Sequence, residues 1–318
     1  MRLIVSLKQP PLSNEGCVAT IGNFDGVHLG HRAVIEKLAE AGRRRGLPAC
    51  VILFEPQPRE YFDPATAPPR LMRLREKLCR LEELPIDQVV LLRFNPALAR
   101  LAPEKFIMEI LVERLGIKYL AVGDDFRFGA KRRGDFAMLR EFGGREGFEV
   151  ADTPSVRVAG ERVSSTLIRA ALADSLFDKA GRLLGRPFSV CGRIIHGAKR
   201  GRALGFPTAN LLMQRKNTPV QGVFAVTMMG IDAHPRPGVA NVGIRPTVAG
   251  GRTVLLETHL LDFSGDLYGR RVEIVFHHKI RDERRFPGLP ELRAQIEQDV
   301  AAARAYFAGS LSLPDLEP

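Results

Sequence analysis

The chain has 318 residues, 45% apolar and 26% charged, with a formal charge of +11. That length favours two domains, each able to bury its own core, and the composition is that of a soluble globular protein. No apolar run approaches the ~18 residues of a membrane span, Met1 to Pro11 lack the apolar core of a signal peptide, and Cys17, Cys50, Cys79 and Cys191 form no CxxC pair, which argues against disulfides or a zinc site and suits a reducing cytoplasm.

Cys17–Ile21 reads as a buried strand. Gly22-Asn23-Phe24-Asp25-Gly26-Val27-His28-Leu29-Gly30-His31 follows and leads into a helix over Arg32–Ala41, where Val34, Ile35, Leu38 and Ala41 repeat at helical spacing. A glycine-rich turn at a helix start offers free N–H groups and the positive end of the helix to an anion. Gly22, Gly26 and Gly30 let the backbone approach a ligand closely. His28 and His31 fall on one side of the helix start. They suit phosphate better than zinc, because the HExxH pattern is missing; plain capping is the alternative. The arginines of the following helices, Arg43-Arg44-Arg45 and then Arg70, Arg73, Arg75 and Arg80, read as solvated faces.

A second strand, Ala49–Phe54, stops at Glu55-Pro56-Gln57-Pro58, since proline cannot continue a ladder. A helix over Leu71–Leu84, a strand over Gln88–Phe94, a helix over Glu104–Leu115 entered by Pro103, and a strand over Lys118–Gly123 follow. Apolar strands alternating with helices predict a parallel sheet covered on both faces. Ligands bind beyond the carboxyl ends of such strands. The loops at 22–31, 55–62 and 123–135 fall there. The last interleaves Phe126 and Phe128 with Arg127, Lys131, Arg132, Arg133 and glycines, which suits stacking on a planar ring and phosphate binding; an ordinary surface loop over packed aromatics is the other reading. In Val163-Ser164-Ser165-Thr166-Leu167-Ile168-Arg169, a serine caps a helix over Thr166–Ala173. The same hydroxyls, with Arg169 one turn on, also make a phosphate cradle.

A helix over Asp174–Leu184 is broken by Gly185-Arg186-Pro187, which sets the domain boundary: residues 1–185 and 186–318. Beyond it, runs at Phe188–Ile195, Gly222–Met229, Val239–Gly243, Thr253–Phe263 and Arg271–His278 between Gly/Pro turns predict a small antiparallel barrel. A tail helix spans Glu291–Phe307. The stretch Gly197–Asn210 has no P-loop or protein-kinase signature. Its glycines and cations, Gly197, Lys199 and Gly205 among them, can wrap a polyphosphate or form a charged hairpin. Thr208 and Asn210 offer oxygens that suit a hard cation such as Mg²⁺. In the strand at Leu256–Phe263, Glu257, His259 and Leu261 share one face. Glu257, in apolar surroundings, pairs with an arginine or serves a hydroxyl as base.

Residues 22–31 resemble the HxGH signature of nucleotidylyltransferases, and in their full form that of bacterial bifunctional riboflavin kinase/FAD synthetases. The same family carries GxDFRFGxxRxGD at 123–135, ISSTxIR at 163–169 (here with Val163), GFPTAN at 205–210 and ExHLLDF at 257–263. Segments 238–247 and Arg281-Asp282-Glu283 also fit its kinase module. The resemblance implies a Rossmann-like nucleotidylyltransferase domain with a parallel sheet, followed by a β-barrel kinase domain ending in a helix. It implies that ATP phosphorylates riboflavin to FMN in the barrel. A second ATP then adenylylates FMN to FAD, releasing pyrophosphate, in the N-terminal domain. By this resemblance His28, His31 and Glu257 are catalytic, Glu257 as general base. Gly22, Phe24, Asp25, Gly30, Ser164, Thr166 and Arg169 bind ATP in one site; Gly197, Lys199, Gly205 and Thr208 bind it in the other. Asn23, Asp124, Phe126, Arg127, Phe128 and Arg281 meet the flavin, and Thr208 and Asn210 hold Mg²⁺. Gln57 stands where the family usually has histidine. Two rivals are a chain with one surviving activity and a nucleic-acid binder using the positive charge. No recognised nucleic-acid motif supports the second. The implied setting is cytoplasmic, with no membrane or nucleic-acid partner, and oligomeric state is not legible.

Overall fold

The computed structural model describes residues 1–5, 15–153, 155–196, 201, 204–213, 217–246 and 252–310. They form two compact units: Met1–Pro68 with Met72–Ser164, and Pro69–Leu71 with the chain from Ser165 onward.

The first unit is a six-stranded parallel sheet. Its strands are β1 (Arg2–Ile4), β2 (Cys17–Ile21), β3 (Ala49–Glu55), β4 (Gln88–Arg93), β5 (Ile117–Val122) and β6 (Glu149–Asp152), in the order β1-β4-β3-β2-β5-β6. Every residue of β2 is buried, which explains its unbroken apolar run. The chain winds one way from β2 through β3 to β4 and the other way from β5 to β6. The crevice at the carboxyl ends of β2 and β5 is therefore the topological switch point, where such sheets take their ligands. The sequence predicted the four inner strands and missed β1 and β6. Both are short edge strands with exposed residues; the three apolar residues Leu3-Ile4-Val5 are too brief a run to mark β1, and β6 has none.

Helix α1 spans Leu29–Arg45 and begins earlier than the spacing predicted, because His28 already caps it. Gly46, at φ 66°, ends it in the left-handed region. A short helix, α2 (Pro58–Phe62), follows β3, and α3 covers Leu74–Glu82 rather than 71–84. The predicted helix at Glu104–Leu115 winds as a π-helix over Phe106–Arg114. It buries the expected stripe of Phe106, Ile107, Ile110 and Leu111.

The second unit holds a closed barrel of antiparallel neighbours in the order β10-β13-β12-β11-β14-β9. After a short antiparallel ribbon of β7 (Arg157–Val158) with β8 (Glu161–Arg162), the barrel strands are β9 (Ser189–Ile195), β10 (Ala209–Leu212), β11 (Gly222–Met229), β12 (Arg236–Pro246), β13 (Arg252–Leu260) and β14 (Arg271–Arg281). Five of these were predicted. β10 is only four residues long and follows a stretch of glycines and cations that masks it. Inside the barrel, Leu211, Phe224, Val242, Leu256 and Phe276 are almost fully buried. The terminal helix, Leu289–Ser310, covers part of the outside, where Val223, Ala225, Val239 and Leu261 pack with Ala303, Val300, Tyr306 and Phe307.

Two helices, Ser165–Ala173 and Phe177–Leu184, precede the barrel; Ser175 between them is left-handed at φ 59°. The Phe177 ring sits 5.7 Å from that of Phe224 and 6.0 Å from that of Phe276. That packing groups both helices with the barrel, although the proline–glycine break in the sequence lies after them, at Gly185–Pro187.

Candidate active sites

The turn after β2 is held from below. Asp25 is 2% exposed, and its Oδ1 accepts the Met72 N–H at 3.0 Å. The buried Lys77 ammonium donates to the Asn23 carbonyl at 2.5 Å. Phe24 and Val27 have φ of 46° and 41°, a backbone region that side chains rarely enter. Strain of this kind costs roughly 1–3 kcal/mol per residue and persists where the surroundings enforce it. Asp25, implied to touch ATP, ties the turn to the chain at Met72.

His28 Nδ1 accepts the His31 backbone N–H at 3.3 Å, and the two rings stack with centroids 3.6 Å apart and planes 14° from parallel. Both the capping alternative and the paired-imidazole reading are thus realised in one geometry. Phe24 closes on His31 from 4.8 Å. A Cβ on Gly30 would lie 3.2 Å from the His28 ring and 3.6 Å from the Val163 carbonyl, so this glycine lets the segment ending at Ser164 lie against the helix start. Burial, followed by the charges of His28 and Lys77, holds the His31 pKa well below 6.5. His31 is therefore neutral at pH 7, and its enclosed Nδ1 has no hydrogen-bond partner among the described residues.

This has a consequence for stability. Below about pH 6.5 the unfolded chain takes up a proton that native His31 refuses, so stability is lost as pH falls from 6.5 toward the lowered native value. A thermal melt series from pH 7.5 to 5 is expected to show this loss. His31→Asn is expected to flatten the slope, and an unchanged slope in that variant would count against a depressed His31.

A cavity of about 600 Å³ opens on the same turn, lined by Gly22 and Asn23. Aromatic rings form its body: Phe126 and Phe128 stack 5.6 Å apart at 16°, and Phe54 meets Phe94 edge-on at 5.8 Å. Arg59, Arg127 and Arg132 also line it. An apolar slot with guanidinium groups at its wall suits a planar ring system bearing an anionic tail. Of the residues implied to meet the flavin, Asn23, Phe126, Arg127 and Phe128 line this cavity, whereas Asp124 is not in the lining. Its backbone N–H bonds Asp152 Oδ1 at 3.1 Å, its side chain is exposed, and Asp125 lines the cavity instead. His28 and His31 are also not among the lining residues. Gln57 is buried at the start of α2, with an unpartnered Nε2.

Ser164 immediately precedes the helix Ser165–Ala173, and Thr166 lies in its first turn. One turn on, Arg169 Nε donates to the Pro69 carbonyl at 2.7 Å.

In the barrel, Asn210 on β10 stands directly opposite Glu257 on β13. Asn210 Nδ2 donates to the Thr208 carbonyl at 3.2 Å, while its buried Oδ1 has no partner among the described residues. Gly205, at φ 89°, turns the chain ahead of this strand. His259 Nδ1 lies 2.9 Å from the Pro207 carbonyl and fixes the turn against β13. Thr208 lines a second cavity of about 600 Å³, walled by Thr258, Ser264, Asp266 and Tyr268. Gly197 and Lys199 lie outside the described residues. Arg281 has a partner within its own unit. It is clamped to the buried Asp299 of the terminal helix by bonds of 2.8 and 2.7 Å, and it lines neither cavity. Among the described residues no group of three His, Cys, Asp or Glu could hold a metal. Fit to Mg²⁺ rests on the Asn210 amide oxygen beside Thr208, a small share of hard oxygens that suits an ion keeping most of its waters.

The FAD synthetase family model matches residues 11–167, and the riboflavin kinase model matches residues 184–307. The bifunctional riboflavin kinase/FMN adenylyltransferase of Escherichia coli K12 is 52% identical over 307 residues, 96% of this chain and 97% of that protein. The chain belongs to the bifunctional riboflavin kinase/FMN adenylyltransferase family. The Pseudomonas fluorescens member is 50% identical over 98% of this chain and 99% of its own length. A crystal structure described as a macrolide-efflux protein from Streptococcus pneumoniae superposes with a TM-score of 0.75 at 28% identity, covering 95% of this chain and 98% of its own.

For a member of this family, the aromatic wall of the first cavity is the part the sequence left unassigned. Phe54, Phe94 and Phe106 come from separate elements, and each reads as ordinary core until the sheet brings their ends together. Arg59 and Arg132 sat in loops already marked as strand-end loops, which was the available signal.

Proposed function

We propose that the barrel unit transfers the γ-phosphoryl group of ATP to riboflavin, and that the sheet unit transfers AMP from a second ATP to the FMN so made. In the first reaction a ribityl oxygen forms a bond to the γ-phosphorus, the bond to ADP breaks, and Glu257 takes the hydroxyl proton. In the second, an FMN phosphate oxygen attacks the α-phosphorus and pyrophosphate leaves. Neither reaction needs a covalent enzyme intermediate, so catalysis is alignment and charge compensation. We assign the flavin ring to the aromatic cavity, against Phe126 and Phe128 with Asn23 and Arg127. The single observation carrying this reading is that this cavity opens at the switch point, on the same turn that bears the stacked imidazoles.

His31, being neutral, acts as an N–H donor to phosphate rather than as a cation. His28 holds it by stacking and capping. Resemblance of sequence supports Gly22, Phe24, Gly30, Ser164, Thr166 and Arg169 for the ATP of this site, and Gly197, Lys199, Gly205 and Thr208 for the ATP of the kinase. Thr208 and Asn210 would hold Mg²⁺, which when bound neutralises phosphate charge. The functional division is placed at Gly185–Arg186, between the two reactions rather than between the two packing units. ATP supply makes the cytoplasm the setting; no helix among the described residues is long and apolar enough to cross a membrane.

The test is incubation with riboflavin, ATP and Mg²⁺, followed by mass identification of products. FMN followed by FAD is expected. FMN alone would leave a single-activity kinase, and neither product would overturn the reading.

A further inference from the structure

The geometry points to Asn241 as a riboflavin-binding residue of the kinase site, accepting a hydroxyl of the vitamin's sugar-alcohol chain beside the one that Glu257 serves. The inference rests on the proposed role of Glu257. Asn241 on β12 is in direct register with Glu257 on β13, which is in direct register with Asn210 on β10. Side chains directly opposite on antiparallel neighbours share a face, with Cβ atoms about 4.5–5.5 Å apart. The three residues thus form one rung, acceptor–carboxylate–acceptor. The adjacent rows, Ala209–Thr258–Ala240 and Leu211–Leu256–Val242, are buried in the barrel. The rung therefore lies on the outer face.

That face is not wet along its length. Val223, next to Asn241 on the other side, is 3% exposed and packs with the residues around the terminal helix. In this setting both Asn210 Oδ1 and Asn241 Oδ1 are buried with no hydrogen-bond partner among the described residues. An amide oxygen left dry and unpaired costs about 1–3 kcal/mol. Two of them flanking one carboxylate mark a place that waits for hydrogen-bond donors.

One cation cannot serve both. Asn210 and Asn241 are two inter-strand spacings apart, about 9–10 Å between backbones, while Mg²⁺ holds its ligands at about 2.0–2.1 Å. With Asn210 on the metal side, Asn241 needs another donor. A polyol supplies neutral O–H groups in a line. It can place one hydroxyl on Glu257 and a neighbour on Asn241.

Asn241→Ala is expected to raise the KM for riboflavin about five- to tenfold, leave the KM for ATP within twofold, and leave adenylylation of supplied FMN unchanged as a check on folding. Binding read by flavin fluorescence separates hydroxyl recognition from ring recognition. The wild-type preference for riboflavin over lumiflavin, which lacks the chain, is expected to shrink by the same factor in Asn241→Ala and to survive in the isosteric Asn241→Asp. An unchanged riboflavin KM, equal loss for ATP, or loss of the preference in Asn241→Asp as complete as in alanine would overturn the inference. Full phosphorylation by Glu257→Gln would instead remove the assignment beneath it. An inactive Glu257→Gln beside an indifferent Asn241→Ala would sink the Asn241 inference alone.

Discussion

Replacing His31 with alanine is expected to lower FAD formation by about 100- to 1,000-fold, the range for losing a preorganised donor to developing phosphate charge, and to leave riboflavin phosphorylation within twofold. The ring stacks on His28 and lies beside Phe24, so its orientation is fixed before any nucleotide arrives. Its burial and its cationic neighbours keep it neutral. What alanine removes is therefore a directed N–H and not a charge. The pH profile follows from this: kcat/KM for adenylylation should not fall between pH 6.5 and 8 through His31, because that imidazole has no proton to lose in the range. His31→Asn, which retains an amide donor, is expected to keep more activity than alanine. Parallel loss of both activities in His31→Ala would undo the separation of the two sites, and a rate falling on the titration of an ordinary histidine would contradict the neutral donor.

How far the chain could be read beforehand depended on whether its signals were local. The four inner strands announced themselves because each is buried on both faces. β1 and β6, at the sheet edges, carry no such mark. The loop at 22–31 was legible because its glycines and histidines lie together in sequence, and the stacked pair came out of that spacing. The aromatic cavity was legible only at Phe126 and Phe128, because Phe54, Phe94 and Phe106 join them only after the sheet has set their distances. Arg281 could not be placed from sequence either. Resemblance pointed it at the flavin, and in three dimensions its guanidinium pairs with Asp299, eighteen residues on and buried within the terminal helix. Asp25 is a similar case, since a carboxylate in a phosphate-type loop gives no sign in sequence that it will cap the chain at Met72. The rung of Asn210, Glu257 and Asn241 was hidden for a further reason. Register between strands decides which residues stand opposite, and β10 itself was not legible.

Glu257→Gln is expected to block riboflavin phosphorylation by about 100- to 10,000-fold, the usual contribution of a positioned general base, and to leave conversion of supplied FMN to FAD intact. Glutamine keeps the shape of the side chain, so the rung between Asn210 and Asn241 retains its packing. It cannot take a proton from a hydroxyl. The loss should accordingly fall on kcat, with the KM for riboflavin changed little, the reverse of the pattern expected for Asn241→Ala. The two variants together therefore separate a group that moves a proton from one that holds the chain it comes from. Removing Mg²⁺ with a chelator should lower phosphorylation in the wild type and in Asn241→Ala alike, since Asn241 stands one strand beyond Glu257 from Asn210. Formation of FMN by Glu257→Gln at the parental rate would show that the hydroxyl loses its proton elsewhere, and the outer-face rung would then lose its claim to be the kinase centre.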